Sequence, residues 1–408
     1  MRRYCKKSMW ACFILIACCI PSSSLAFGFS KKDHKDNWQV HAGEVNAALE
    51  RFVQDAGEKG WHVRGISIMQ HGRDLAEWKG AEGTAAPISD QQELSGTVTA
   101  MAVGLAVDEG LLSLDDKVAA FFADLLPAQP SANLQAMTVR HLLTMTSGHD
   151  RDTTCGEEDN WVQNYLAQPV PHTPGTYFYY DPMAGYMLSA ILQKVTGQTL
   201  SDYLRPRLFE PLGIRNVEWE TSPQGICAGG WGLNTSTRDM ARIGSLLVQK
   251  GKWEDRRILP RKWVKQMISY QTDSCPRDVR YEELPQSGLS LSSNDWIQGF
   301  GYQMWHCRTV SVADGIELWN AMGIKFSRLP NPLCKLLRAE GKEGMMLVVC
   351  PEFEACIAVD AEKDNGENGL HLLYSHLLPA IPDWRGTKED ISRSRTRQHN
   401  LHYVNAHL

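Results

Sequence analysis

Apolar residues recur at helical spacing from Val40 to Ala56 and place Val45, Leu49 and Val53 on one face of a predicted helix. Val63–Gln70 then reads as an apolar strand carrying Ile66 and Ile68, His71 to Asp74 as a turn, and Leu75–Trp78 as the returning strand of a hairpin. The run from Thr97 to Glu109 is apolar nearly throughout and predicts a buried helix, with Gly110 placed for a left-handed C-cap. Asp115 and Asp116 open a helix-rich stretch, residues 116–224, with helices expected at Val139–Met145, Ala184–Thr196 and Leu200–Phe209. Beyond Gly229 a helix is expected at Thr237–Lys250, followed by strands at Gly301–His306, Met345–Cys350 and Ala355–Val359. Strands at both ends around a helical middle predict one α/β sheet domain interrupted by a helical domain. The expected division is a discontinuous sheet domain (27–115 and 225–382), a helical domain (116–224) and a polar tail (383–408).

Composition narrows the picture. With 43% hydrophobic and 22% charged residues the 408-residue chain has ample material for a core and is not a disordered sequence. A formal charge of -5 and a pI near 6.2 exclude a basic nucleic-acid binder. The cations are unevenly spread, because positions 80–116 hold no Lys or Arg at all. At the N-terminus, Arg2, Arg3, Lys6 and Lys7 precede an apolar run from Met9 to Ile20 and a small-residue exit at Ser24-Leu25-Ala26. That layout predicts a secretory signal peptide, residues 1–26, and a periplasmic or secreted protein. Leu15-Ile16-Ala17-Cys18 is also similar to a bacterial lipoprotein cleavage box, so membrane attachment through a lipidated Cys18, or through an uncleaved segment, stands as the alternative. After cleavage at Ala26 the cysteines are 155, 227, 275, 307, 334, 350 and 356, an odd number with no CxxC spacing. Neither a zinc site nor any other metal or cofactor is expected from them, and they fit core thiols. The Arg- and His-bearing tail, which includes Arg393, His399 and His407, fits a solvated segment better than a metal site.

Several stretches carry a resemblance. His141-Leu142-Leu143-Thr144-Met145-Thr146-Ser147-Gly148-His149 resembles a segment of the serine β-lactamase-related hydrolases, which include class C β-lactamases, DD-peptidases, esterases and 6-aminohexanoate-dimer hydrolases. Pro174-Gly175-Thr176 through Tyr180, Tyr186 to Ala190, Leu208 to Ile214, Gly230-Trp231-Gly232-Leu233, Gly299 to Gln303 and His376 to Pro379 continue it in order, over about residues 45–381. The resemblance implies an α+β sandwich, with an antiparallel sheet flanked by helices, an inserted all-α domain, and the site between them. It also implies acyl transfer by a serine in S-x-x-K at the start of a buried helix, joined by a motif tyrosine and a third motif on a strand.

The motifs are altered in this chain. Counting back along the Thr97–Gly110 helix puts Glu93 where the serine belongs and Gly96 where the lysine belongs. Ser95 would need a lysine at Val98, and the cation-free stretch offers none in any register. Tyr180-Asp181-Pro182 keeps the tyrosine, which reads alternatively as a core aromatic beside Tyr177 and Tyr179, but loses the polar third position. Arg338-Ala339-Glu340-Gly341-Lys342-Glu343-Gly344 resembles the third-motif segment, so Asp181, Glu340, Gly341 and Gly344 are expected to line a cleft. Thr309–Leu337 reads as an insertion, a surface elaboration or a lid. The first functional expectation is an impaired family member whose cleft holds a small-molecule or peptide ligand. The second is an active acyl or amide hydrolase with Ser95 or Thr97 as a rewired nucleophile beside Tyr180. A third has Glu93 as general base for an unrelated hydrolysis.

Overall fold

A computed structural model describes residues 33–80, 88–153, 155–156, 159–273, 299–307, 336–341, 344–363 and 372–382. The N-terminal segment, the tail, Lys342, Glu343, Cys275, Cys334 and all but the last two residues of the 309–337 insertion lie outside the described residues.

The chain opens with α1 (Asp33–Glu58), followed by the hairpin β1 (Trp61–Gln70) and β2 (Arg73–Lys79), and then a short strand β3 (Ile88–Asp90). A single turn, Gln92–Leu94, leads into α2 (Ser95–Asp108). Gly110 takes φ 71°, the left-handed C-terminal conformation that its position predicted. Next come α3 (Val118–Phe121), α4 (Ala132–Ala136), α5 (Val139–Leu143), α6 (Trp161–Ala167), α7 (Pro182–Thr196) and α8 (Leu200–Leu204), the last continuing as a wider turn through Phe209. Two short strands, β4 (Glu218–Trp219) and β5 (Leu233–Ser236), precede α9 (Thr237–Val248). The ribbon β6 (Lys252–Trp253) and β7 (Arg256–Arg257) leads to α10 (Arg261–Met267). The remaining strands are β8 (Thr272–Asp273), β9 (Gly299–Phe300), β10 (Trp305–Cys307), β11 (Leu336–Glu340), β12 (Met346–Cys350) and β13 (Ala355–Lys363).

Among the described residues eight strands form one antiparallel sheet in the order β2-β1-β13-β12-β11-β10-β9-β8. A smaller sheet, β3-β5-β4, lies apart from it. Two hydrophobic cores sandwich the large sheet. On one face Val45, Leu49 and Phe52 of α1 meet Ile66, Ile68, Val348 and Ile357, with Leu373 and Leu377 closing the layer. The other core joins Leu347, Val349 and Ala358 of the sheet to α2, α7 and α9. The α+β sandwich is thus present.

The sequence reading failed at Gly301–His306, which is not one strand. Gly301 donates its N–H to the Met304 carbonyl at 2.8 Å, and the strand begins only at Trp305. Gln303 turns the chain with φ 58° because its N–H bonds the Leu143 carbonyl at 3.1 Å and its side-chain amide the Leu142 carbonyl at 3.0 Å. Those partners are remote in sequence, and no local pattern announces them.

Helix α2 fixes the rest. Every residue from Ser95 to Ala106 is buried, so the helix needs small side chains wherever neighbours come close. At Gly104 the Trp263 indole lies against the backbone and donates Nε1–H to the Ala100 carbonyl at 3.0 Å. A methyl at position 104 would overlap that ring. We therefore expect Gly104→Ala to lower stability by about 1–3 kcal/mol despite its better helix propensity. Urea unfolding tests this, and an unchanged or raised midpoint would show that the ring is not held.

Candidate functional site

The segment entering α2 is strapped from both sides. Asp360, fully buried on β13, accepts from Arg64 Nε at 2.8 Å and from the Ser89 hydroxyl at 2.7 Å, which anchors β3 to the large sheet. Gln91 donates its backbone N–H to the Leu233 carbonyl at 2.7 Å and its side-chain amide to the Thr235 carbonyl at 2.9 Å, which anchors the next residue to β5. Gln92, forced between these anchors and the helix, adopts φ 47°, a strained value for a side-chain-bearing residue. Half-buried Glu93 follows it in the turn before α2.

The third motif abuts this turn. A Cβ on Gly341 would come within 2.6 Å of the Gln92 side-chain oxygen, so a side chain there would displace the Gln92 amide. Glu340, partly exposed at the end of β11, accepts from Arg338 Nε at 2.7 Å. The guanidinium of Arg338 is fully buried, 5.6 Å from the Trp305 ring, which satisfies the cation with a carboxylate and a π face. Gly344 turns with φ 96°. The second motif arrives through the same tryptophan. Half-buried Tyr180 stacks on Trp305 with centroids 5.4 Å apart and planes at 19°, while Phe300 meets Trp305 edge-on at 5.0 Å. β11 therefore touches the first motif through Gly341 and reaches the second through Arg338 and Trp305.

Gln303 occupies the space over Gly96, where the resemblance expects the motif lysine. A Cβ on buried Gly96 would lie 2.7 Å from Gln303 Oε1, and the Thr97 hydroxyl donates to the Gln303 carbonyl at 2.9 Å. Sequence reasoning missed this residue, although its place in Gly299 to Gln303 was noted. Ser95 is fully buried. Its hydroxyl donates to the Gln92 carbonyl at 2.6 Å and accepts from Leu233 N–H at 3.1 Å, so it ties the helix start to β5.

Asp181, expected at a cleft surface, lies inside. It caps α7, accepting from Met183 N–H at 2.9 Å, and Pro182 takes the first helical position that suits its fixed φ. Burial pushes its carboxyl up to about 7, against the Met183 bond that lowers it, and Asp152 adds like-charge repulsion. Nearby, the Ser147 hydroxyl and His149 Nδ1 lie 3.0 Å apart, and the His149 ring packs on Tyr165 with centroids at 4.6 Å. Burial pulls His149 down to about 4. This Ser–His pair is sealed from solvent, so no substrate carbonyl reaches it. His141 of the same sequence segment is also structural, its Nδ1 accepting from Thr138 N–H at 3.2 Å to start α5. Among the described residues no three metal-ligating side chains converge.

Comparison with known proteins places this geometry. The sequence model of the Beta-lactamase family matches residues 94–309. Penicillin-binding protein 4 of Amycolatopsis lactamdurans is 33% identical over 185 residues, 40% of this chain and 46% of that one. A β-lactamase of Escherichia coli (strain K12) is 23% identical over 313 residues, 66% of this chain and 74% of that one. This chain thus spans less than half the length of that penicillin-binding protein. Among solved structures, EstCE1, a hydrolase with promiscuous acyltransferase activity, has the same fold, with a TM-score of 0.63 at 17% identity over 84% of this chain and 99% of that one.

The two buried titrating groups work against each other. Native Asp181 holds a proton that the unfolded carboxyl, near 3.8, releases, so it makes stability fall as pH rises to about 7. Native His149 lacks a proton that the unfolded imidazole, near 6.5, binds, so it makes stability rise with pH from about 4. Over the shared range the slopes oppose, each at most about 1.4 kcal/mol per pH unit. Asp181→Asn should leave a stability that climbs more steeply with pH than the parent's, and His149→Asn one that falls more steeply. Denaturant midpoints across that range decide it, and parallel curves for all three proteins would refute the assignment.

Proposed function

The chain belongs to the Beta-lactamase family, and from that premise we propose that it is a catalytically impaired, exported member whose site holds a small-molecule or peptide ligand instead of turning it over. The observation that carries the reading is the pairing of Gly96 with Gln303. Where the family resemblance calls for a lysine, a carboxamide fixed to two α5 carbonyls fills the space. Glu93, where it calls for the serine, is a carboxylate without a hydroxyl proton to relay.

The rewired-nucleophile alternative gains no support from the hydroxyls nearby. Ser95 and Thr97 are both fully buried and both donate to backbone carbonyls, an arrangement that suits scaffold roles. The relatives named for penicillin binding, β-lactam or ester chemistry indicate what a ligand of this site could resemble. Export rests on the layout of residues 1–26, and no described helix is long and apolar enough to cross a membrane.

The test is exposure to a chromogenic β-lactam, short-chain nitrophenyl esters and a fluorophosphonate probe. We expect neither turnover nor labelling, and Ser95→Ala should change only stability, by about 1–2 kcal/mol. Labelling at Ser95 or Thr97 would sink the proposal. Restoring a serine and a lysine through Glu93→Ser with Gly96→Lys should yield activity only when Gln303→Gly clears the space, at roughly 10-fold or more over the double variant.

A further inference from the structure

A closed circuit of contacts runs around the site. Gln92 and Glu93 form the turn before α2, and Gly341 lies so close that a Cβ there would stand 2.6 Å from the Gln92 side-chain oxygen. Glu340, next to Gly341, accepts from Arg338 Nε at 2.7 Å. Arg338 is opposite Trp305 in the pairing of β11 with β10, and Trp305 is opposite Phe300 in the pairing with β9. The Gly301–Met304 turn, closed by a hydrogen bond of 2.8 Å, joins those two strands and carries Gln303. Gln303 Oε1 reaches Gly96, 2.7 Å from where a Cβ would stand, and Gly96 follows Glu93 by three residues of continuous helical backbone. That spacing sets the two positions about 5–6 Å apart on one face. Tyr180, stacked on Trp305 at 5.4 Å, stands beside the circuit.

Three polar ends on this circuit accept hydrogen bonds and donate none. Gln303 is 6% exposed, and its Nε2 donates to the Leu142 and Leu143 carbonyls at 3.0 and 3.5 Å, which fixes the amide and turns Oε1 toward Gly96. No donor among the described residues bonds that oxygen. Half-buried Glu93 adds a carboxylate, whose roughly four lone-pair sites admit a ligand donor beside any contact within the protein. Partly exposed Glu340 adds a second, and the Arg338 cation paired with it is fully buried. The family resemblance calls for the opposite polarity here, a hydroxyl and an ammonium that donate. A buried amide oxygen and a carboxylate one helical turn apart are complemented by a compact cation with several N–H donors. We propose that the site recognises a primary ammonium group of its ligand, held between the Glu93 carboxylate and Gln303 Oε1 where the motif lysine would place its own. Given the ligand-holding function proposed above, on which this rests, the ligand is a small molecule or peptide that ends in a primary amine. A ligand that ends in a carboxylate meets like charge there and is disfavoured.

Calorimetric titration of the full chain with hexylammonium, hexyltrimethylammonium, 1-hexanol and hexanoate tests it. Hexylammonium should bind roughly 10-fold or more tightly than hexanol and hexanoate. The trimethyl probe carries the charge without an N–H donor and should bind more weakly than hexylammonium. Glu93→Gln should lower the affinity for hexylammonium by roughly 10-fold or more and erase its advantage over hexanol. Gly96→Ala, whose methyl displaces Gln303 Oε1, should lower it too, and if that variant fails to fold Glu93→Gln at its half-buried position decides alone. Absence of hexylammonium binding, equal affinity for hexanoate or for the trimethyl probe, or indifference to Glu93→Gln would each overturn the proposal and leave the impaired-catalysis reading in place. Turnover of the nitrophenyl esters strikes that reading instead, whatever the four probes show.

Discussion

A helix buried on every side is the constraint from which the other features follow. α2 runs between the large sheet and the helical layer with no solvent-facing stripe, so it tolerates neither a charge nor bulk where its neighbours touch it. The absence of any charged residue from Ser95 to Ala106 is one expression of that demand. Gly96 and Gly104 are another, since the first admits Gln303 and the second the Trp263 ring. At its N-terminal end Gln92 and Glu93 emerge between two anchored strands.

Much of this was legible from sequence because it is local. The apolar run before Gly110 announced a buried helix and its stop, and the β1–β2 hairpin followed from two strand-like runs around His71 and Gly72. The resemblance then supplied the register from which Glu93 and Gly96 were expected at the altered motif positions. Three-residue β3 and four-residue β5 were not legible, since their polar sequences acquire strand character only by pairing with each other. Asp181 is a different case. An Asp-Pro pair ahead of an apolar periodic run is a helix-start signal, and placing the pair on a cleft surface overlooked it.

What remained hidden is the set of contacts between segments remote in sequence. Gln303 meets Leu142, Leu143 and Thr97, and Arg338 beside Trp305 joins β11 to the aromatic group around Tyr180. A glutamine in a glycine-rich run and an arginine on an apolar strand carry no local mark of these roles. Their meaning appears only when the sheet and the helical layer are brought together. The same holds for Arg64, Ser89 and Asp360, three ordinary polar residues whose convergence positions the first motif.

The covering of Gly96 by Gln303 also couples the two positions. With the amide seated on the α5 carbonyls, a lone change of residue 96 to lysine must displace a satisfied buried side chain and bury a cation beside it. A lone change at 303 opens a void with nothing to fill it. Either first step is costly by itself, so lysine at 96 and the loss of Gln303 must come together if stability is to be kept. The two positions are therefore coupled, and packing alone locks them to each other.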